Sequence, residues 1–275
     1  NQEDWGKTIS VYSPIMYNNH MEKEQKKTLI TFLYLLLFYL ACKFLPFEKI
    51  PGPNCVAPLL QALVLLGILI FVLREEKKCQ IPRKEGAQNP FLSFPLFLVC
   101  FSNLLYLLCF QIAPSKTVDV PLFLSETLVT FFSITIEELL FRSLLFPFFQ
   151  SLIQGKHSDE LSILVSSACF SLMHAINFIG NAPPSVLMQM GYTLFLGVVL
   201  ASITLYHKRG IYLAISFHFF FNFINSDLIN ALFSYQINLN YVLFNLTFGV
   251  LALLYLFFLY HRHQKGNENV TGHRN

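Results

Sequence analysis

The chain of 275 residues is 54% hydrophobic and only 13% charged, with 30 Phe, a net charge of +3 and a mean hydropathy of +0.52. Water-soluble domains carry about 25% charged residues, and half that share cannot cover the surface of a 31.7 kDa particle. Disordered, collagenous, nucleic-acid-binding and disulfide-scaffold classes are thereby excluded, and an all-α polytopic transmembrane helical bundle remains.

A bilayer core of about 30 Å needs roughly 20 apolar residues per helix, and runs of that length predict about eight spans. Residues 1–27 read as a cytoplasmic lead ending in Lys23, Lys26 and Lys27, with the stretch before Met21 a candidate non-native extension. Spans at 28–47, 55–73 and 89–113 form an N-terminal group, residues 28–113. Four more, at 120–141, 161–179, 185–206 and 211–230, make up residues 120–230; the first of these stays apolar from Ser143 to residue 153, past Pro147. A last span at 241–261 opens the segment 241–275, whose tail is polar. The six cysteines are scattered without a C-x-x-C pair and read as small core hydrophobes. Basic residues test the map independently, because they collect on the cytoplasmic side of membrane proteins. With an even number of spans, fifteen Lys and Arg fall on the side of both termini and three, Lys43, Lys49 and Lys116, on the other. Both termini are therefore expected in the cytoplasm.

Arg142 is the basic residue left over, and it lies inside a membrane segment. A charge at bilayer depth costs on the order of 3 kcal/mol, so a chain that keeps Glu137, Glu138 and Arg142 within six residues needs a reason. On a helix Glu138 and Arg142 are i,i+4 and share a face, so they are expected to pair. Glu137 diverges from Arg142 by roughly 140° and is left as the freer carboxylate. His174 lies in the next span with Phe170 one turn earlier. His218 lies two spans later with Asn222 one turn on, both projecting from one face among Phe217, Phe219, Phe220, Phe221 and Phe223.

One free carboxylate, one carboxylate held by arginine, two imidazoles and an amide make a hydrolytic inventory. A carboxylate and a histidine can deprotonate water, while a second histidine and an asparagine can stabilise the oxyanion formed when that water attacks a carbonyl. No G-x-S-x-G motif competes. There is no H-E-x-x-H, yet Glu137, His174 and His218 from three helices can also be drawn as a two-histidine, one-carboxylate site for a divalent metal such as zinc.

The ordered set Glu137-Glu138-x-x-x-Arg142, Phe170-x-x-x-His174 and His218-x-x-x-Asn222 resembles the CPBP (Abi) family of intramembrane proteases, to which the type II CAAX prenyl endopeptidase belongs. The resemblance covers residues 120–230, which would be the catalytic core, and includes Gly197 and Ala201, small residues suited to close helix packing. It implies an endopeptidase in which Glu137 and His174 activate water, His218 and Asn222 form the oxyanion hole, and Glu138 and Arg142 support the site. The family has been described as metalloproteases and, alternatively, as metal-free glutamate enzymes. The metal-free account is the one expected here, because an asparagine on the turn after His218 suits an oxyanion better than a metal shell.

The expected substrate is a membrane-embedded or lipidated, CAAX-like peptide, with the lipid bilayer as the other partner and no nucleic acid. The expected location is a bacterial cell membrane. The competing reading is a non-enzymatic membrane scaffold or bacteriocin-immunity protein that uses the same polar cluster to grip a partner helix. A proton-coupled transporter is disfavoured because the polar groups cluster and no internal repeat is visible.

Overall fold

The computed structural model describes residues 14–79, 86, 88–110, 117, 119–155, 157–226 and 239–272. The described residues are overwhelmingly helical and contain no β-strand, only an isolated bridge between Gln88 and His207. In chain order the helices are α1 (Pro14–Lys43), α2 (Val56–Glu76), α3 (Phe94–Cys100), α4 (Ser102–Cys109), α5 (Val120–Glu138), α6 (Phe146–Leu152), α7 (Ser158–Met173), α8 (Pro183–Tyr206), α9 (Gly210–Ile224) and α10 (Leu239–Gly272). A π-helical segment, Leu139–Leu145, joins α5 to α6, and a short 3-10 turn, His174–Phe178, follows α7.

Among the described residues five helical stretches are long and apolar enough to cross a membrane: Met21–Lys43, Val56–Glu76, Ser158–Phe178, Pro183–Tyr206 and Leu243–Gln264. Large apolar side chains such as Leu37, Phe94, Met188, Leu254 and Phe257 point outward from the bundle. Water would penalise such a surface and lipid does not, so the chain is an integral membrane protein.

Three expected segments look different from plain spans. The expected lead is helical from Pro14 onward, and Glu24 and Lys27 pair at 3.5 Å across one turn of it. Residues 1–13 lie outside the described part, as do 111–116, 227–238 and 273–275 at the ends of other expected segments. The run 89–113 is broken into a 3-10 turn (Pro90–Ser93), α3 and α4, with the interruption at Phe101. Ser102 Oγ bonds the Val99 carbonyl at 2.9 Å there, a side-chain competition that bends helices. The seventh is a 15-residue helix, about 22 Å long at 1.5 Å per residue.

The helices group around two apolar clusters. Phe32, Leu35 and Tyr39 of α1 pack with Leu65, Ile68 and Val72 of α2 and with Ile136, Leu140, Phe141 and Phe170. Leu96 and Cys100 of α3 pack with Leu196, Leu200 and Ile203 of α8, Phe217 of α9 and Leu256 of α10. Between them runs the continuous rod from α5 through the π-helical segment into α6. Its start is set by Asp119, whose side chain accepts from the Leu122 amide at 3.2 Å, and by Pro121 in the first turn. Its wide turn ends two residues before Pro147, whose missing N–H would break an α-helical ladder.

α1 runs antiparallel to this rod: Gln25 Nε2 donates to the Ser151 carbonyl at 3.1 Å, and Phe32 meets Phe141 edge-on at 5.5 Å. α7 and α8 form a tight hairpin. A Cβ on Gly197 would lie only 2.9 Å from Ser167 Cβ, so the two backbones approach as closely as glycine permits. Ser171 Oγ bonds the Met190 carbonyl at 2.6 Å, and Asn177 Nδ2 donates to Gln189 Oε1 at 2.8 Å, tying the 3-10 turn to α8. The α8–α9 corner turns at Arg209, whose φ of 59° is left-handed, and at Gly210, where a Cβ would collide with the Ile203 carbonyl.

Candidate active site

The rod, the end of α7, the middle of α8 and the face of α9 converge on one cluster of polar side chains. Glu137 and Glu138 close α5, and Arg142 falls within the π-helical segment, the widened geometry that tends to mark functional positions. Arg142 Nε lies 3.5 Å from Glu138 Oε2 with both side chains fully buried, which is the i,i+4 pairing the spacing predicts. The contact is an ion pair without hydrogen-bond geometry, and neither atom has a hydrogen-bond partner among the described residues. The guanidinium is held from two other sides. Its Nη2 reaches the Gly197 carbonyl at 3.5 Å, and its carbon lies 4.8 Å from the centre of the Phe170 ring.

Glu138 also serves a second partner that spacing within one helix cannot show. His218 Nδ1 lies 2.8 Å from Glu138 Oε1, both groups buried. A carboxylate paired with arginine only accepts, so this contact sets the proton on Nδ1 and fixes the ring orientation. His218 Nε2 then faces Asn222 Nδ2 at 3.2 Å, one turn further along α9. With the proton on Nδ1, Nε2 accepts from the Asn222 amide, and the two side chains stand together on a single helix face, where a second ring proton on Nε2 would make both of them donors.

His174 sits where α7 tightens into its 3-10 turn, with Nδ1 3.0 Å from the Phe170 carbonyl. Phe170, itself fully buried, is the common wall of the cluster. His174 meets its ring at 5.2 Å and His218 at 5.7 Å, both edge-on, while Phe141 closes another side at 5.2 Å. All six candidate residues therefore lie in one neighbourhood, and Glu137 interacts electrostatically with both imidazoles.

Glu137 itself departs from the expectation of a free carboxylate. Tyr39 OH donates to its Oε1 at 2.8 Å, and Lys43 Nζ lies 3.4 Å from the same oxygen. The reason is the antiparallel docking of α1, which lays Tyr39 and Lys43 beside the end of α5. The signal available in the sequence was slight: Lys43 is one of the few basic residues on the sparsely charged side, four residues after a tyrosine.

The candidate ligands of a divalent metal already contact other protein groups. Among the described residues no three His, Cys, Asp or Glu groups are disposed to hold one. His218 already has Nδ1 committed to Glu138 and Nε2 to Asn222, and Glu137 Oε1 is taken by Tyr39 and Lys43. The two-histidine, one-carboxylate shell drawn from the sequence would require these contacts to be broken.

Comparison with curated proteins and with solved structures finds no match. Comparison with protein families does: residues 119–224 match the family described as type II CAAX prenyl endopeptidase Rce1-like. The matched segment begins at the Asp119 cap of α5 and ends with α9, so it spans Glu137, Glu138, Arg142, His174, His218 and Asn222 and leaves α1 to α4 and α10 outside. Over residues 119–224, then, the chain is similar to the type II CAAX prenyl endopeptidase Rce1-like family.

Proposed function

We propose that the protein is an intramembrane endopeptidase that hydrolyses a peptide bond in a membrane-anchored or lipidated substrate, without a metal. Glu137, assisted by His174, takes a proton from a water molecule as its oxygen attacks the scissile carbonyl carbon. The carbonyl π electrons move onto oxygen, and the resulting oxyanion accepts hydrogen bonds from Asn222 Nδ2 and from Nε2–H of protonated His218, whose counterion is Glu138. The C–N bond then breaks as the proton taken from water passes to the leaving nitrogen. Arg142 holds Glu138 in place and has no contact with the reacting atoms.

The observation that carries this reading is the placement of both imidazoles against one Phe170 ring, within the electrostatic reach of Glu137. A base and an oxyanion-binding pair are thereby assembled from three helices around a common wall. Tyr39 and Lys43 both contact Oε1, which leaves Oε2 outside those contacts as the oxygen to receive a proton. The family description makes a prenylated peptide ending in C-a-a-X the first substrate to try.

The test is cleavage of a farnesylated C-a-a-X peptide in liposomes by wild type, His174→Ala and His218→Ala, each with and without a strong chelator. The expected result is loss of cleavage in both variants and indifference of wild type to the chelator. Loss of wild-type activity on chelation, restored by zinc, would replace this mechanism with a metal-dependent one.

A further inference from the structure

We infer that Tyr39 and Lys43 of α1, outside the family-matched segment, are positioning residues that complete the site by holding Glu137. The inference rests on the reading of Glu137 as the base. Tyr39 and Lys43 are i,i+4 on one face of α1, and both address the same oxygen of Glu137, at 2.8 and 3.4 Å. The Lys43 ammonium also lies 4.9 Å from the centre of the Tyr39 ring, so the pair braces itself. Tyr39 is fully buried and Glu137 nearly so, whereas 35% of the Lys43 side chain is exposed. Lys43 therefore keeps part of its hydration while lending its charge to a buried carboxylate.

The chemistry explains why two donors on one oxygen matter. A general base must stay ionised and must present one oxygen to water in a fixed direction. Tyr39 restricts rotation of the carboxylate, and Lys43 compensates a charge that would otherwise be costly at this depth. Arg142 cannot substitute, since its ion pair is with Glu138. α1 is held in register for this task by the Gln25–Ser151 bond at one end and the Phe32–Phe141 contact midway.

The test uses the full chain in phosphatidylcholine liposomes with a farnesylated C-a-a-X peptide, comparing Tyr39→Phe, Lys43→Met, Lys43→Arg and Glu137→Gln. A hydrogen bond to a charged group predicts a fall in kcat of about 10- to 100-fold for Tyr39→Phe and Lys43→Met, with KM unchanged. Lys43→Arg should recover most of the rate. Dicyclohexylcarbodiimide, which attacks protonated carboxyl groups in apolar surroundings, supplies a readout that needs no substrate. Its labelling of Glu137, mapped by mass spectrometry, should be slow in wild type and Lys43→Arg and severalfold faster in Lys43→Met. Wild-type kcat in Tyr39→Phe and Lys43→Met beside an inactive Glu137→Gln, or labelling indifferent to Lys43, would overturn the positioning role alone. A fully active Glu137→Gln would instead overturn the reading on which it rests.

Discussion

Replacing Arg142 by Met isolates the electrostatic frame of the site from its chemistry. The Arg142 and Glu138 side chains are both 0% exposed, so removing the guanidinium leaves a carboxylate in an apolar interior with the His218 ring as its remaining polar partner. Breaking a buried pair in this one-sided way costs about 3–5 kcal/mol, because the surviving charge loses compensation it cannot regain from water. The arginine also gives up its place over Phe170 and its contact with the Gly197 carbonyl, which couples the rod to α8. Removing both charges together, in Arg142→Met/Glu138→Gln, is predicted to cost less than Arg142→Met alone, since no buried charge is then stranded. The assay is unfolding of the detergent-solubilised variants followed by helical circular dichroism and arranged as a double-mutant cycle. A coupling of about 2 kcal/mol or more is expected. An Arg142→Met protein within about 1 kcal/mol of wild type, or strictly additive variants, would refute the reasoning.

Asn222→Ala removes one of the two proposed oxyanion donors and is predicted to lower kcat by about 10²- to 10³-fold with little change in KM, measured on the farnesylated peptide. Gly197→Val forces atoms into a space where a Cβ alone already lies 2.9 Å from Ser167 Cβ, and a loss of about 1–3 kcal/mol should appear in the same unfolding assay. His207, just beyond the end of α8 and fully buried with neither ring nitrogen hydrogen-bonded among the described residues, has its pKa pushed down to about 4 by burial and by the neighbouring His263. As pH falls through about 6.5 the unfolded chain binds the proton and the folded one resists it, so stability is present above that value and is lost progressively toward pH 4. Thermal melts from pH 7.5 to 4.5 should show that slope in wild type and a shallower one in His207→Asn; equal slopes would exclude His207 as its source.

Much of this was legible in the residues because the membrane makes polar side chains conspicuous. Glu137, Glu138, Arg142, His174, His218 and Asn222 stood out against apolar neighbours, and their i,i+4 relations gave the Glu138–Arg142 and His218–Asn222 pairs directly. What crosses between helices was not readable. The second bond of Glu138, to His218, joins positions 80 residues apart, and the Tyr39 bond to Glu137 joins positions 98 apart. Neither partner carries a local mark of its destination. The π-helical segment was hidden for a different reason, since Leu139–Leu145 has the apolar character of any buried helix and only Pro147 hinted at altered hydrogen bonding there. The run 89–113 shows the limit of hydropathy, because a helix break at Phe101 leaves the apolar count unchanged.

The central claim is that Glu137 acts as a base on a water that cuts a lipidated peptide. The most direct measurement is the rate at which purified wild type and Glu137→Gln release the C-terminal fragment from a farnesylated C-a-a-X peptide in liposomes, with circular dichroism confirming that both are folded. An amide of the same shape keeps the hydrogen bonds but cannot take the proton, so the account predicts a loss of at least about 10²-fold. A Glu137→Gln protein that cleaves within about threefold of wild type, less than 1 kcal/mol in the barrier, would contradict it.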